Sequence, residues 1–194
     1  MSEATSTTRE RWLAERRKGI GGSDAAAAVG LSRWKTPLQL YLEKRGELAD
    51  EGETDAMRWG TMLEPIVRQE FCNRTGLSVE IVPSIQRHAR HSFAIASLDG
   101  IIPEINSIYE GKTSQNHDGW GEPGSADIPD EYALQVQHYM AVMNLPRAEV
   151  AVLFGVRDLR LYTVFADAEL QEMLLDREAE FWRRVLEGDP PEPV

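Results

Sequence analysis

The chain has 194 residues, a length that suits one domain with its own hydrophobic core. Apolar residues make up 42% and charged residues 27%, a balance typical of a folded globular protein rather than a disordered one. The formal net charge of −11 argues against a protein that coats nucleic acid by bulk attraction, although a local basic patch or bound cations remain compatible with it.

The sequence also indicates the cellular compartment and the domain organisation. The longest apolar runs are too short to span a membrane, and the first residues lack the pattern of a secretion signal, so we expect a cytoplasmic protein. The single cysteine, Cys72, cannot form an intramolecular disulfide or a four-cysteine zinc or iron–sulfur site. We predict a disordered end over 1–8, one folded domain over 9–189 and a proline-rich tail over 190–194.

Helical signals come first along the chain. Four helices are predicted, over residues 8–17, 24–29, 36–46 and 54–74. Thr8, Ser23 and Thr36 are suitable caps for the first three, and glycines follow the last three. In the long fourth helix, Pro65 is expected to cause a kink or a split just after Glu64.

The hydrophobic period then changes from helical to extended. Segments 79–82, 93–102 and 105–113 are rich in branched residues and predict three strands, followed by a loop over 114–127. A helix over 127–144 and a hairpin of two strands over 149–156 and 159–165 come next. A last helix, capped by Asp167, runs to Glu187. This order predicts a mixed α/β protein in which a sheet is flanked by helices.

Three residues on neighbouring strands have the character of a catalytic centre. Glu110 and Lys112 are two apart, so they project from one face of a strand, and Asp99 can lie beside them. Two carboxylates and an ammonium suit metal-assisted phosphodiester cleavage, because Mg²⁺ prefers oxygen ligands and lowers the pKa of a bound water. Each residue also has a plain structural interpretation: Asp99 in a hairpin turn, and Glu110 with Lys112 as an exposed ion pair.

Two further polar residues fall on otherwise apolar helix faces. Glu64 lies on the inward side of the long helix, where a carboxylate needs a cation or a donor. The alternative is that Glu64 is an N-cap or first-turn acid at a helix break before Pro65. Gln135 interrupts an apolar stripe, so it is either part of the site or a core glutamine bonded to the backbone.

A glycine-rich turn, KGIGGSD over 18–24, leads directly into a predicted helix. Free backbone N–H groups and the helix dipole make such a turn a suitable anion site, and Arg16 and Arg17 stand just before it. A phosphate cradle that includes Gly22 and Ser23 is one interpretation. A plain glycine turn with a serine cap is the other.

Seven motifs in order resemble the YqaJ-type viral recombinase nucleases, which are relatives of phage lambda exonuclease in the PD-(D/E)XK nuclease superfamily. The motifs are WLAER (12–16), GIGGSD (19–24), WGTMLEP (59–65), SLDG (97–100), EGKT (110–113), IP (128–129) and YALQVQHYM (132–140). The similarity extends over about residues 12–190. It implies a nuclease domain with a central mixed five-stranded sheet flanked by helices.

The resemblance also assigns roles at the site. It implies two Mg²⁺ ions per active site, with Mn²⁺ as a substitute, bound by Asp99, Glu110, Glu64 and the carbonyl of Gly111. Lys112 would position the attacking water, and Gln135 would support the site. The middle residue of the Glu-x-Lys motif is usually branched or aliphatic in the family, and Gly111 departs from that pattern. Glycine at this position loosens the strand.

The implied substrate is linear double-stranded DNA. Arg16 and Ser23 occupy the places of residues that hold the terminal 5′-phosphate, with Arg17 and Gly22 beside them. Relatives are ring-shaped trimers or tetramers that degrade one strand from its 5′ end and supply a single-strand annealing protein. The expected function is therefore a 5′-to-3′ exonuclease of phage or prophage recombination. The alternatives are an endonuclease on the same core and an inactive DNA-binding module.

Overall fold

The computed structural model describes residues 12–48, 52 and 54–193. The helices with both ends in this part of the chain are α1 (Gly22–Ala28), α2 (Pro37–Lys44), α3 (Asp55–Thr75), α4 (Asp130–Met143) and α5 (Ala168–Glu187). The strands are β1 (Ile20–Gly21), β2 (Gln86–Arg87), β3 (Ala94–Ala96), β4 (Gly100–Ile102), β5 (Ser107–Ser114), β6 (Arg147–Phe154) and β7 (Asp158–Phe165). A helical stretch over 12–16 precedes β1; its predicted cap, Thr8, and the predicted disordered end lie outside the described residues.

The strands form two sheets rather than the one five-stranded sheet that was expected. The larger sheet has the order β4-β5-β6-β7, with β5 and β6 parallel and the outer pairs antiparallel. The smaller sheet has the order β1-β3-β2, with β1 parallel and β2 antiparallel to β3. The predicted mixed α/β architecture is confirmed, and the predicted strand count of the central sheet is wrong.

The difference comes from one predicted strand that is divided between the two sheets. Segment 93–102 leaves the small sheet after Ala96 and enters the large sheet at Gly100. A Cβ at Gly100 would lie 2.4 Å from Val79 Cγ1, so only glycine permits this close approach. The predicted strand over 79–82 is reduced to a single bridge between Glu80 and Ile101.

Helix α3 is continuous, so the expected split at Pro65 is absent. Thr54 caps its first turn by accepting a hydrogen bond from Met57 N at 3.2 Å, and Gly76 ends it with a φ of 71°. Pro65 lies inside the helix, where it lacks the N–H that would bond to the carbonyl four residues earlier. Glu64 is therefore an interior helix residue, not an acid at a helix break.

The first short helix begins earlier than predicted, and its cap differs. Gly21 is the residue before α1, and the Asp24 carboxylate accepts a hydrogen bond from Gly21 N at 3.0 Å. Ser23 lies inside the first turn of α1, so the prediction that Ser23 caps this helix is wrong. The Ser23 side chain is consequently free to face outward from the turn.

Helix α4 is the crossover that the parallel pair β5 and β6 requires. Its buried face contributes to the main core, together with side chains from both sheets and α5, among them Ile108, Val136, Met140, Val150 and Tyr162. The core thereby holds α4 beside β5, the strand that carries Glu110 and Lys112.

The C-terminal elements follow the prediction closely. The hairpin of β6 and β7 is present, and the Asp167 carboxylate caps α5 by accepting a hydrogen bond from Leu170 N at 3.0 Å. Helix α5 ends at Glu187, as predicted, before Gly188 with a φ of 74°. In the described part of the chain, every helix is too short or too polar to cross a membrane.

Candidate active site

A cleft of about 810 Å³ lies among α1, α3, α4 and the adjoining strands of both sheets. It brings together eight of the residues singled out in the sequence. They are Arg16, Ser23, Glu64, Asp99, Glu110, Gly111, Lys112 and Gln135. Residues from six separate segments therefore meet in one cavity.

Glu110, Lys112 and Gln135 form a closed triangle of polar contacts. Lys112 Nζ lies 2.7 Å from Glu110 Oε1 and donates to Gln135 Oε1 at 3.1 Å. Gln135 Nε2 in turn donates to Glu110 Oε1 at 2.6 Å. Glu110 is only 2% exposed, so these contacts are not those of an exposed ion pair. The strand period placed Glu110 and Lys112 on one face, as the sequence predicted.

Asp99 lies at the junction of the two sheets, immediately before β4. Its Oδ2 accepts a hydrogen bond from Gly111 N at 2.9 Å. The turn between β4 and β5 comes later, at the 3₁₀ turn Pro103–Ile105 followed by Asn106, so Asp99 is neither in a hairpin turn nor at the end of a strand. The N–H and C=O of a strand residue point to the same side, so the Gly111 carbonyl faces the same sheet edge as Asp99.

Glu64 reaches the cleft from α3, and its side chain is 36% exposed. Its Oε1 accepts a hydrogen bond from Arg68 Nη1 at 3.1 Å, one helical turn further on. Burial and the negative charge of Asp99 raise the pKa of Glu64, and Arg68 opposes that shift. Glu64 and Asp99 are thus close enough to repel each other.

The carboxyl groups of Glu110 and Asp99 also lie in surroundings that disfavour a negative charge. Burial and Asp99 raise the pKa of Glu110 to about 7, against the attraction of Lys112. Burial likewise raises the pKa of Asp99. Among the described residues, Glu110 Oε2 is buried without a hydrogen-bond partner. A cation between these groups would relieve the repulsion and satisfy the unpaired oxygen.

This donor set suits a hard divalent cation that keeps part of its water shell. Within residues 12–48, 52 and 54–193, no group of three or more His, Cys, Asp or Glu side chains is arranged to hold a metal ion. Mg²⁺ commonly takes only one or two carboxylates and fills its other positions with water and substrate phosphate oxygens. Glu110 Oε2, the Asp99 carboxylate and the Gly111 carbonyl therefore fit Mg²⁺, with Glu64 across the cleft.

Arg16 and Ser23 belong to a second cluster of polar side chains in the cleft. Arg16 Nη2 donates to Ser23 Oγ at 2.7 Å and contacts both carboxylate oxygens of Asp24 at 3.1 Å. The Arg16 side chain is 23% exposed, and its guanidinium lies 4.9 Å from the centre of the Trp12 ring. A cation and a hydroxyl beside a helix N-terminus can accept an anionic group.

Two residues of the predicted phosphate site have other positions. A Cβ at Gly22 would lie 2.5 Å from the Tyr139 ring, so this glycine allows α1 to pack closely against α4. Arg17 is exposed and lies outside the set of residues that line the cleft. The structure therefore does not bring Gly22 and Arg17 to the cleft with Arg16 and Ser23.

Two residues of this region were missed in the sequence. Lys44 Nζ lies 2.7 Å from Asp24 Oδ2, and both side chains are almost completely buried. The signal for Lys44 was its position on the apolar face of α2 with Leu40 and Tyr41, where a charged residue must have a partner. Asp24 was hidden by its neighbour Ser23, which is an equally good cap by residue type.

The fold resembles solved structures that carry exonuclease names. The first is an alkaline exonuclease, LHK-Exo, from Laribacter hongkongensis, with a TM-score of 0.78, 19% identity, and coverage of 93% of this chain and 94% of that chain. LHK-Exo has also been solved in complex with dAMP. A phage-related exonuclease from Haemophilus somnus 129PT matches with a TM-score of 0.59 and 13% identity over 88% of this chain and 96% of that chain. The chain therefore shares its fold with these exonuclease structures.

The family follows from the sequence match. The description "YqaJ-like viral recombinase domain" fits residues 11–146, and the chain belongs to that family. The uncharacterized protein YqaJ of Bacillus subtilis (strain 168) is 38% identical over 197 residues, which include 98% of this chain. The chain spans 61% of the length of that relative.

Proposed function

We propose that the protein is a metal-dependent deoxyribonuclease that degrades linear double-stranded DNA as a 5′-to-3′ exonuclease. One observation carries this proposal: Arg16 and Ser23 line the same cleft as Asp99, Glu110 and Lys112. An endonuclease has no terminal phosphate to hold, so a cationic group beside the carboxylates favours recognition of a DNA end. LHK-Exo, which shares the fold, binds a 5′-mononucleotide, dAMP, and that agrees with such a reaction.

The proposed metal ligands are Asp99, Glu110, Glu64 and the Gly111 carbonyl, and we propose two Mg²⁺ ions, which Mn²⁺ can replace. Bound Mg²⁺ would lower the pKa of the attacking water and offset charge on the phosphate. Lys112 has three N–H donors, two of which are directed at Glu110 and Gln135. We propose that the remaining N–H orients the attacking water. Gln135 fixes both Glu110 and Lys112 through its amide group.

The proposed biological setting is phage or prophage recombination. Strand degradation would provide single-stranded DNA for an annealing protein, and the active form would be a ring-shaped trimer or tetramer. These statements rest on the family resemblance, and the cleft geometry bears only on the reaction itself. Size measurement of the purified protein by light scattering tests the oligomer, and pull-down with a purified single-strand annealing protein tests the partner.

The reaction is tested with three DNA substrates and one variant. Linear duplexes with and without a 5′-phosphate and a covalently closed circle are incubated with Mg²⁺ and with either the wild type or Lys112→Ala. We expect release of mononucleotides from the linear duplexes only, faster with the phosphate. Loss of the Lys112 ammonium should slow the reaction about 10²–10³-fold, because a preorganised cation acts on charge that develops in the transition state.

The alternatives predict different results in the same assay. Cleavage of the closed circle by the wild type would identify an endonuclease on this core. Binding without any Mg²⁺-dependent or Mn²⁺-dependent cleavage would identify an inactive DNA-binding module. The matched control is Lys18→Ala, since Lys18 is an exposed lysine that pairs with Glu15 and lies outside the residues that line the cleft.

A further inference from the structure

A buried ion pair lies next to Arg16, the partly exposed arginine of the proposed anion site. Lys44 and Asp24 have side chains that are 1% and 2% exposed, and Lys44 Nζ lies 2.7 Å from Asp24 Oδ2. Lys44 Nζ also donates to the backbone carbonyl of Arg16 at 3.0 Å. Lys44 therefore bonds to both the backbone of Arg16 and the carboxylate that Arg16 itself contacts.

The charges around Asp24 do not cancel. Arg16 and Lys44 both contact this one carboxylate, which also accepts a hydrogen bond from Gly21 N. With Arg16 as its only cation, Asp24 would neutralise the guanidinium and reduce its attraction for an anion. The second cation shares the carboxylate, so the group as a whole stays positive beside Ser23. Burial lowers the pKa of Lys44, and Asp24 opposes that shift.

The backbone contact has a separate effect on geometry. Arg16 ends the helical stretch over 12–16, and residues 17–21, which include the short strand β1, connect it to α1. The bond from Lys44 to the Arg16 carbonyl fixes this end of the stretch against α2. The guanidinium is then directed to Ser23 by Asp24, at 2.7 Å from Ser23 Oγ. Arg16 is thus held at both its backbone and its side chain.

We propose that Lys44 and Asp24 are positioning residues that preorganise Arg16 and Ser23 for the terminal 5′-phosphate of DNA. This inference rests on the proposed function only for the identity of the anion. Neither residue touches the phosphate: Asp24 aims the guanidinium, and Lys44 holds the Arg16 backbone and keeps the guanidinium from being neutralised. A site ordered in advance loses less conformational entropy when its ligand binds.

The test measures binding rather than cleavage. Short duplexes with a 5′-phosphate or a 5′-hydroxyl are titrated with protein in Ca²⁺ and followed by fluorescence anisotropy. Lys44→Met keeps the length and the apolar stem of the side chain but removes its charge and its donors. The dissociation constant for the 5′-hydroxyl duplex divided by that for the 5′-phosphate duplex measures the preference for the phosphate. We expect this ratio to fall about tenfold or more from its wild-type value, because a charge-assisted contact is lost. Affinity for the 5′-hydroxyl duplex should change less than about threefold.

The matched control is Lys35→Met, which removes a more exposed lysine whose partner is Glu43, so it tests the general loss of a positive charge. It should leave the ratio close to that of the wild type. Circular dichroism and thermal unfolding confirm that each variant is folded. Should Lys44→Met fail to fold, the double variant Asp24→Asn/Lys44→Met removes both members of the buried pair, and it should lose the preference in the same way.

The outcomes separate this inference from the proposed function. A folded Lys44 variant that retains the wild-type ratio overturns the inference, and so does a wild type without any preference for phosphorylated ends. A wild type that prefers phosphorylated ends but cleaves no DNA with Mg²⁺ or Mn²⁺ contradicts the proposed nuclease activity while leaving the inference intact.

Discussion

Gly111 is the residue at which this chain departs from the branched or aliphatic residue expected between the glutamate and the lysine. A Cβ at this position would lie 3.2 Å from the hydroxyl oxygen of Tyr109 and 3.6 Å from Asp99 Oδ2. The Tyr109 ring is fully buried, and its centre lies 5.1 Å from that of Phe71, so it has little freedom to move. The tyrosine hydroxyl thus takes part of the space that a side chain at residue 111 would need.

This pairing predicts the result of a double-mutant cycle. Gly111→Ala should lower the free energy of unfolding by about 1–3 kcal/mol, because the new methyl group overpacks against the tyrosine hydroxyl. Tyr109→Phe removes that hydroxyl, and Gly111→Ala should cost much less in the phenylalanine background. Urea unfolding of the four proteins measures the coupling. An equal loss in both backgrounds would contradict the steric explanation.

Gln135 offers a second test at the level of one side chain. Gln135→Leu removes the amide that bonds to both Glu110 and Lys112, so we expect the cleavage rate to fall about 10–100-fold. Gln137→Leu is the matched control: it changes a buried glutamine on the same helix that bonds instead to the Phe165 carbonyl. The control should affect stability but not the rate per folded molecule. Equal loss of rate in both variants would point to a general defect in α4.

At the scale of elements, His138 joins three of them. It lies on α4, and its Nε2 is 2.9 Å from the Ile95 carbonyl on β3, while its Nδ1 is 2.8 Å from Glu178 Oε1 on α5. A carbonyl oxygen can only accept, so Nε2 carries a proton, and the proton between Nδ1 and Glu178 completes a buried ion pair or its neutral equivalent. Burial opposes a charged imidazole, yet Glu178 raises the pKa of His138 above its usual value.

This raised pKa predicts the direction of a pH effect on stability. The group binds its proton more tightly in the folded chain than in the unfolded one, so its contribution is fully present below about pH 6.5. The contribution is lost as the pH rises through the raised pKa of the folded state. Urea unfolding of the wild type between about pH 6 and 9 should show this decline, and Glu178→Gln should be less stable at pH 6 with a flatter profile. A steeper profile in Glu178→Gln would contradict the assignment.

Local signals account for the elements that were predicted well. Asp167 and the left-handed glycine at residue 188 define α5, and continuous apolar strands with a polar turn define the hairpin of β6 and β7. The division of segment 93–102 was missed although Asp99 and Gly100 interrupt its apolar pattern, because an Asp-Gly pair is equally typical of a hairpin turn and does not show that the chain changes sheets there. Pro65 illustrates a different case, since the surrounding fold tolerates a proline inside α3.

The contacts of the candidate site also differ in how far the sequence predicts them. Glu110 and Lys112 are two residues apart on one strand, so their common face followed from periodicity alone. The pairing of Lys44 with Asp24 joins two helices across a change of chain direction, and no local spacing encodes it. Their burial was predictable in part, because a lysine on an apolar helix face requires a partner.

At the scale of the whole molecule, the charge of the cleft differs from that expected of a DNA-binding surface. Among the described residues, its lining contains two cations, Arg16 and Lys112, and four acids, Glu64, Asp99, Glu110 and Glu131. The basic segment over 33–45 adds little free charge, because Arg33 pairs with Glu131 and Lys35 pairs with Glu43. The protein alone should therefore attract DNA weakly, and divalent cations should supply the missing positive charge.

Metal removal tests this balance directly. Binding to a linear duplex should be weak in EDTA and should recover with Ca²⁺, which fills oxygen sites and is expected to support no cleavage. In Ca²⁺, the logarithm of the binding constant should fall with the logarithm of the salt concentration with a slope that reflects only a few phosphate contacts. Strong binding in EDTA, or a slope near that of a highly basic protein, would contradict this view.

The parallel pairing of β5 with β6 has a consequence for how the protein forms. Glu110 lies on β5 and Gln135 on the crossover helix, so their contact depends on a connection over residues 115–146 and on β6 beyond it. Parallel pairing of strands that are distant in sequence closes a long loop, and the entropy of closure is lost before the new contacts contribute to stability. This slows folding. During synthesis, β5 therefore emerges before its central partner strand exists. The candidate active-site cleft should therefore assemble only late, after translation has passed Phe154 and most of the domain has been made.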